Sequence, residues 1–166
     1  VHMKKELLEK ENIKIDKIIK ITQAGEYIFS GKLEDGQIAV DANKINGEVK
    51  IILNNLDIEC ENAPAIFVYS KDIENEKCKV VISPMKGTEN TVKGGKLKVD
   101  VQGWEAQDDV LYYIEKDYDD DGTYYERYKY DGAISSDISI TFDGEGILNV
   151  NGNAKEGIEK YYGFTP

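Results

Sequence analysis

The stretch VKIILNNLDIECENAPAIFV, residues 49 to 68, decides the fold, because it holds one complete unit of a pattern that recurs along the chain. Its first run, IILNN (51 to 55), is a short apolar β-type segment ending in turn residues, and its second, PAIFV (64 to 68), is anchored by Ile66. Working outward, the first run aligns with YIFSG (27 to 31), VVISP (80 to 84) and ITFDG (140 to 144). The second aligns with GQIAV, DGAIS and EGIEK, which makes a column of Ile38, Ile66, Ile134 and Ile158. The column is spaced by 28, 68 and 24 residues, a repeat in the mid-twenties interrupted once by about 40 extra residues. Strand-type alternation without a helical period inside the repeat selects a β-solenoid over a helical or leucine-rich one.

Stacked repeats give each position a role. Tyr27, Ile51, Val80 and Ile140, with Phe29, Leu53, Ile82 and Phe142, are expected to form two inward ladders, since residues two apart on a strand share a face. Ile28, Ile52, Val81 and Thr141 then point outward as a mostly apolar row that calls for a cover: the N-terminal KKELLEKEN segment, a loop or a partner chain. NIKIDKIIKIT (12 to 22) alternates as a first strand or cap, and the Asn and Gly residues of LNN, DGEG and NGNA suit tight corners. The expected fold is all-β: a right-handed single-stranded parallel β-helix, a solenoid of about four coils, with a β-hairpin insert. Residues 1–20 are assigned to a tag remnant and N-terminal cap, and 21–166 to the solenoid domain with its insert at about 95–130.

Composition narrows the function. A net charge of −11 with Arg127 as the only arginine argues against a nucleic-acid partner, which is bound by neutralising phosphates. No window approaches the run of about 20 apolar residues that spans a bilayer. The opening VHM reads as a cloning remnant, so the single histidine, His2, offers no catalysis and no zinc site. Cys60 and Cys78 are too few and too far apart for a disulfide framework or a CxxC site, and their apolar surroundings predict two buried thiols.

The blocks ITQAGEYIFSGKLEDGQIAVDA, VKIILNNLDIECENAPAIFV, KGTENTV and DGAISSDISITFDGEGILNVNGNAKEGI together resemble the clostridial family of secreted carbohydrate-binding parallel β-helix proteins, pectate-lyase-like in shape. The resemblance runs from Ile21 to Ile158 outside the insert. It implies cellulose or pectin binding, calcium, and export to a Gram-positive cell surface, with the signal peptide not in this chain. Two departures accompany it. Ser135, Ser136, Asp137 and Ile138 stand where the family has Ser-Lys-Asp-Asp-Leu, and the chain runs into EKYYGFTP where further coils are expected, as in the N-terminal half of a family domain.

The insert, Gly95 to Tyr130, holds Trp104 and seven of the 11 tyrosines. VLYYIEK and TYYERYKY have the β-propensity of paired strands joined by the turn DYDDDG. Asp117, Asp119, Asp121 and Gly122 reproduce the first half of a calcium loop, in which alternate carboxylates converge. Its twelfth position is Tyr128 rather than Glu, leaving Glu126 as the substitute. Asp41, Asp72 and Asp137, at corners after the isoleucine column, are alternative ligands, and each acid has an ordinary solvated-turn reading beside it. Trp104, Tyr113, Tyr118, Tyr124 and Tyr125 are candidate platforms for sugar rings, whose C–H faces pack on aromatic faces. The plain alternative is that these rings pack on the coils.

β-Elimination needs a calcium-acidified uronate and an unprotonated Lys or Arg, and no residue here is marked as that base. The resemblance implies a polysaccharide-binding module assisted by calcium, and the lack of such a base makes it noncatalytic, with a polysaccharide lyase as the enzymatic alternative. A self-associating structural or adhesion module, dimeric through an open coil end or the outward apolar row, is the third reading.

Overall fold

The computed structural model describes residues 18–61, 63–95, 103–107, 110–118, 124–128, 132–152 and 158–160, with backbone only between 103 and 128 and at 159–160. Among these the chain is all-β, with a single 3-10 turn, Ala42–Lys44, and no α-helix. The strands are β1 (Ile18–Ile21), β2 (Gly25–Leu33), β3 (Gln37–Asp41), β4 (Gly47–Glu59), β5 (Ile66–Tyr69), β6 (Cys78–Pro84), β7 (Glu89–Gly94), β8 (Gly103–Gln107), β9 (Val110–Tyr118), β10 (Tyr124–Tyr128), β11 (Ile134–Ser136), β12 (Ile140–Phe142), β13 (Ile147–Gly152) and β14 (Ile158–Lys160).

Two parallel sheets dominate. One has the order β1-β3-β5-β11-β14; the other has β12-β6-β4-β7-β13, with β2 on the free side of β4. Strand β4 is bent and serves twice. Its first half pairs with β6, its last residues pair with β7, and β2 runs beside both halves. The second sheet therefore contains two ladders: a first one of early β2, early β4, β6 and β12, and a second one of late β2, late β4, β7 and β13. Successive rounds of the chain visit the first ladder, the second ladder and the five-stranded sheet in rotation.

The expected isoleucine column is present as register: Ile38 pairs with Ile66, Ile66 with Ile134, and Ile134 with Ile158. Ile19 of β1 extends it by one strand, which places the start of the ladder inside the segment assigned to the cap. In the first ladder the sequence alignment is off by two residues at one step. Ile51 pairs with Ile82 and Val49 with Val80, whereas Tyr27–Ile51, Phe29–Leu53, Val80–Ile140 and Ile82–Phe142 pair as expected. The cause lies at the corner. The alignment equated Asn54-Asn55 with Ser83-Pro84, but Pro84 is still in the strand opposite Leu53, and the chain turns later, over Met85–Thr88. Because the strand period is two, a two-residue slip leaves the same residues inside. Tyr27, Phe29, Ile51, Leu53, Val80 and Ile82 are buried accordingly, but in the last strand Ile140 is half-buried and Phe142, expected inside, is 38% exposed.

The slip does break the expected outward row. Ile28 and Ile52 are neighbours, but the next position is Ser83, while Val81 lies between Lys50 and Thr141. The outward positions that are closed belong to the other sheet. Ala39, Phe67 and Ser135 share one register line and are each at most 4% exposed, so both faces of that sheet are buried there.

Corners are fixed by short polar contacts. Asn55 takes the left-handed conformation (φ 57) at the bend of β4, where Asn pays little steric penalty, and its side-chain Oδ1 accepts from the Glu89 backbone N–H at 3.1 Å. Asn90, fully buried, spans three rounds. It accepts from the Leu56 N–H at 2.8 Å and donates to Thr88 Oγ1 at 2.9 Å and to the Ile147 carbonyl at 3.1 Å. Gly144 (φ 90) passes so close to the preceding round that a Cβ there would strike the Pro84 carbonyl oxygen. Cys60 and Cys78 are both buried, as expected. Burial also pushes the Cys78 thiol pKa up.

Candidate functional site

The second ladder builds an exposed polar surface. Its inward residues, Leu33, Leu56, Ile58 and Val92, are fully or almost fully buried. The alternate residues therefore face out. Lys32, Asp57, Thr91 and Asn149 form one line across four rounds, with Glu59, Lys93 and Asn151 forming the next line. Two of these side chains are held by neighbours across the rounds. Lys93 Nζ lies 3.3 Å from Glu59 Oε2, and Asn149 donates to Glu89 Oε1 at 3.1 Å.

Beside these lines, the loops after β2 and β4 bound a cleft of about 340 Å³, lined by Lys32, Leu33, Glu34, Asp35, Asp57, Glu59, Glu61 and Lys93. Asp35 (φ 49) turns the first loop and accepts from the Glu61 N–H at 3.2 Å, which ties the two rims together. Lys32 pairs with Glu34 at 3.4 Å. A broader depression of about 1120 Å³ lies along the start of the first ladder, with Glu74, Glu76, Lys79 and the 42%-exposed Ile73 in its lining.

The insert strands form an antiparallel sheet, β10-β9-β8, so the expected hairpin is present with a third strand, Gly103–Gln107, that the sequence reading did not separate. Trp104 sits opposite Tyr113, Tyr124 opposite Tyr118, Tyr125 opposite Asp117 and Glu126 opposite Lys116. Strand parity puts Trp104, Tyr113, Asp117 and Tyr125 on one face, and Tyr118, Tyr124 and Glu126 on the other. Asp119 and Asp121 lie outside the described residues.

The corner acids are spread among local duties. Asp41 accepts from the Asn43 N–H and Nδ2 at 3.2 and 3.0 Å and lies 3.8 Å from Lys44. Asp72 accepts from the Glu74 N–H at 2.9 Å. Asp137, 2% exposed, accepts from the buried Ser70 N–H at 2.9 Å. Among the described residues no three acids, cysteines or histidines gather as a metal group. Asp137 and Asp41 do act on Tyr69: burial first, then these two charges, raise its phenol pKa above the ordinary value.

Sequence reasoning missed Lys32, Asp57, Thr91, Lys93 and Asn149. The signal was available in the alternation of LDIE, NTVK and LNVN, whose polar members take every second place.

The family model described as "Carbohydrate-binding domain-containing protein" matches residues 15–162, and the chain belongs to that family. A relative of the same description from Acetivibrio thermocellus is 29% identical over 140 residues, 84% of this chain. The match covers 39% of the relative, so the chain spans about two fifths of that protein's length. No solved structure matches the chain. Among the described residues no helix is long and apolar enough to cross a membrane.

Proposed function

We propose that the chain is a noncatalytic polysaccharide-binding module whose three parallel ladders are the faces of a right-handed single-stranded β-helix of about four coils. The family match over residues 15–162 carries the binding role. The rotation of the chain through three parallel ladders supports the β-helix reading, since a parallel crossover is right-handed in nearly all proteins. Plant cell-wall glycans of the cellulose or pectin kind are the ligands this reading selects, on a secreted or cell-surface protein.

Two auxiliary elements belong to the proposal. Trp104, Tyr113 and Tyr125 share a strand face in the insert, and stacking sugar rings there would add aromatic contact. Asp117, Asp119 and Asp121 would hold calcium through hard oxygen ligands, without Glu126, which lies on the opposite strand face from Asp117, and without Asp137, whose carboxylate accepts from the Ser70 N–H. Pull-down on insoluble cellulose and pectate, each with and without calcium, tests the set. Retention that needs calcium and falls on Trp104→Ala supports both elements, and no retention on any glycan contradicts the binding role.

A further inference from the structure

We infer that the outward face of the second ladder is the glycan track, and that it selects a neutral glycan over a polyuronate, because it sets Lys32, Asp57, Thr91 and Asn149 in a line beside a cleft rich in carboxylates. The inference rests on the binding role proposed above and adds the place and the ligand class.

Availability comes first. The five-stranded sheet is buried on both faces at Ala39, Phe67 and Ser135. The first ladder shows solvent the half-buried Ile28, Ile52 and Val81 together with Glu26, Lys50 and Thr141, so its outward face is mixed. The second ladder instead offers exposed Lys32, Asp57 and Asn149 and the half-exposed Thr91.

Geometry comes second. Neighbouring strands stand about 4.8 Å apart, so equivalent side chains repeat at that step along the stack. The rise of one sugar residue in an extended β-linked chain is close to it. A glycan lying along the stack would present successive hydroxyl groups to successive rounds, and the line of four side chains would meet about four sugars. Carboxylates accept from sugar hydroxyls, lysines donate to them, and Thr91 and Asn149 do both. The Glu59–Lys93 pair and the Glu89–Asn149 bond hold their side chains in place before any ligand arrives, which lowers the ordering cost of binding.

Charge decides the class. Five carboxylates and two ammonium groups line the cleft, in a chain of net charge −11. A polyuronate carries a carboxylate on every residue, and placing those along this face would set like charges within a Debye length of one another, about 10 Å at 0.1 M salt. A neutral glycan meets the same acceptors without that repulsion.

Affinity electrophoresis tests the inference. The probes are soluble neutral β-1,4-glucan, xyloglucan and galactomannan, with polygalacturonate as the acidic counterpart, each run in EDTA and in millimolar calcium. At least one neutral glycan should retard the wild type, and polygalacturonate in EDTA should not. Asp57→Ala with Thr91→Ala should weaken the neutral binding about tenfold at an unchanged melting temperature. Asp57→Lys with Glu61→Lys should gain polygalacturonate binding at low salt and lose it at high salt. Polygalacturonate binding in EDTA equal to the neutral glycan's would overturn the inference. So would undiminished neutral binding by the alanine variant, which would move the site and leave the binding role standing. Failure of every glycan would overturn the binding role and this inference together.

Discussion

The outward faces of the five-stranded sheet and of the second ladder are made by the same device, yet one is closed and the other open. Both stack parallel strands round upon round, and both place alternate residues outside. On the sheet the central outward residues Ala39, Phe67 and Ser135 are buried, with exposed Lys20 only at the β1 edge of the same line; on the second ladder Lys32, Asp57, Thr91 and Asn149 are all solvent-accessible. Strand parity fixes which residues face in. It leaves the fate of the outward residues to what lies against them, and their polarity records the outcome: small or apolar where covered, hydrogen-bonding where wet.

The largest expected effect separates the two faces by stability. Phe67→Ala, on the closed face, should cost about 3–5 kcal/mol in denaturant unfolding, as for a buried ring whose space stays partly empty. Asp57→Ala on the open face should stay within about 0.5 kcal/mol of the wild type. Equal costs would erase the distinction.

Asn90→Ala sharpens the comparison within the second ladder itself. This variant strands the Leu56 N–H and the Ile147 carbonyl, and should cost about 2–3 kcal/mol, since each unsatisfied buried group is worth about 1–3. Asn149→Ala, which faces out from the next round, should cost little, and the gap between the two asparagines reads out parity directly.

A smaller effect appears at alkaline pH. Tyr69 continues the outward line of Phe67, their ring centroids 6.2 Å apart, and its raised pKa means that the folded chain holds this proton more tightly than the unfolded chain. Its contribution to stability is complete below the unfolded value near pH 10 and is lost as pH rises through the folded value. Tyr69→Phe should therefore flatten the loss of stability above pH 10, and an unchanged slope would contradict the burial of this edge.

How much of this was legible in the sequence follows from the same parity. The isoleucine column and the inward ladders of the first three rounds were readable because core contacts repeat the same residue types at the same parity, whereas the last round departs, with Phe142 38% exposed and Ile140 half-buried. The two-residue offset at Ile51 was not, because corner length is set by turn geometry: Asn54-Asn55 bends within the strand, whereas Met85–Thr88 needs a longer turn. The closed sheet face was assigned to the wrong ladder, since Phe67 and Ala39 read as ordinary members of buried apolar strands. The candidate site went unnoticed because no single residue in it is unusual. Lys32, Asp57, Thr91 and Asn149 lie 25, 34 and 58 residues apart, and only the register makes them a line.

Carboxyl labelling with a water-soluble carbodiimide and an amine, in the absence and presence of a neutral soluble glycan that the protein binds, tests the central claim most directly. The open-face account predicts that the glycan protects Asp57, Glu59 and Glu61 and leaves Asp143 and Glu145, in the turn between β12 and β13, labelled as before. Protection confined to acids between residues 103 and 128, with Asp57 and Glu61 labelled equally in both conditions, would contradict it and place the glycan on the insert.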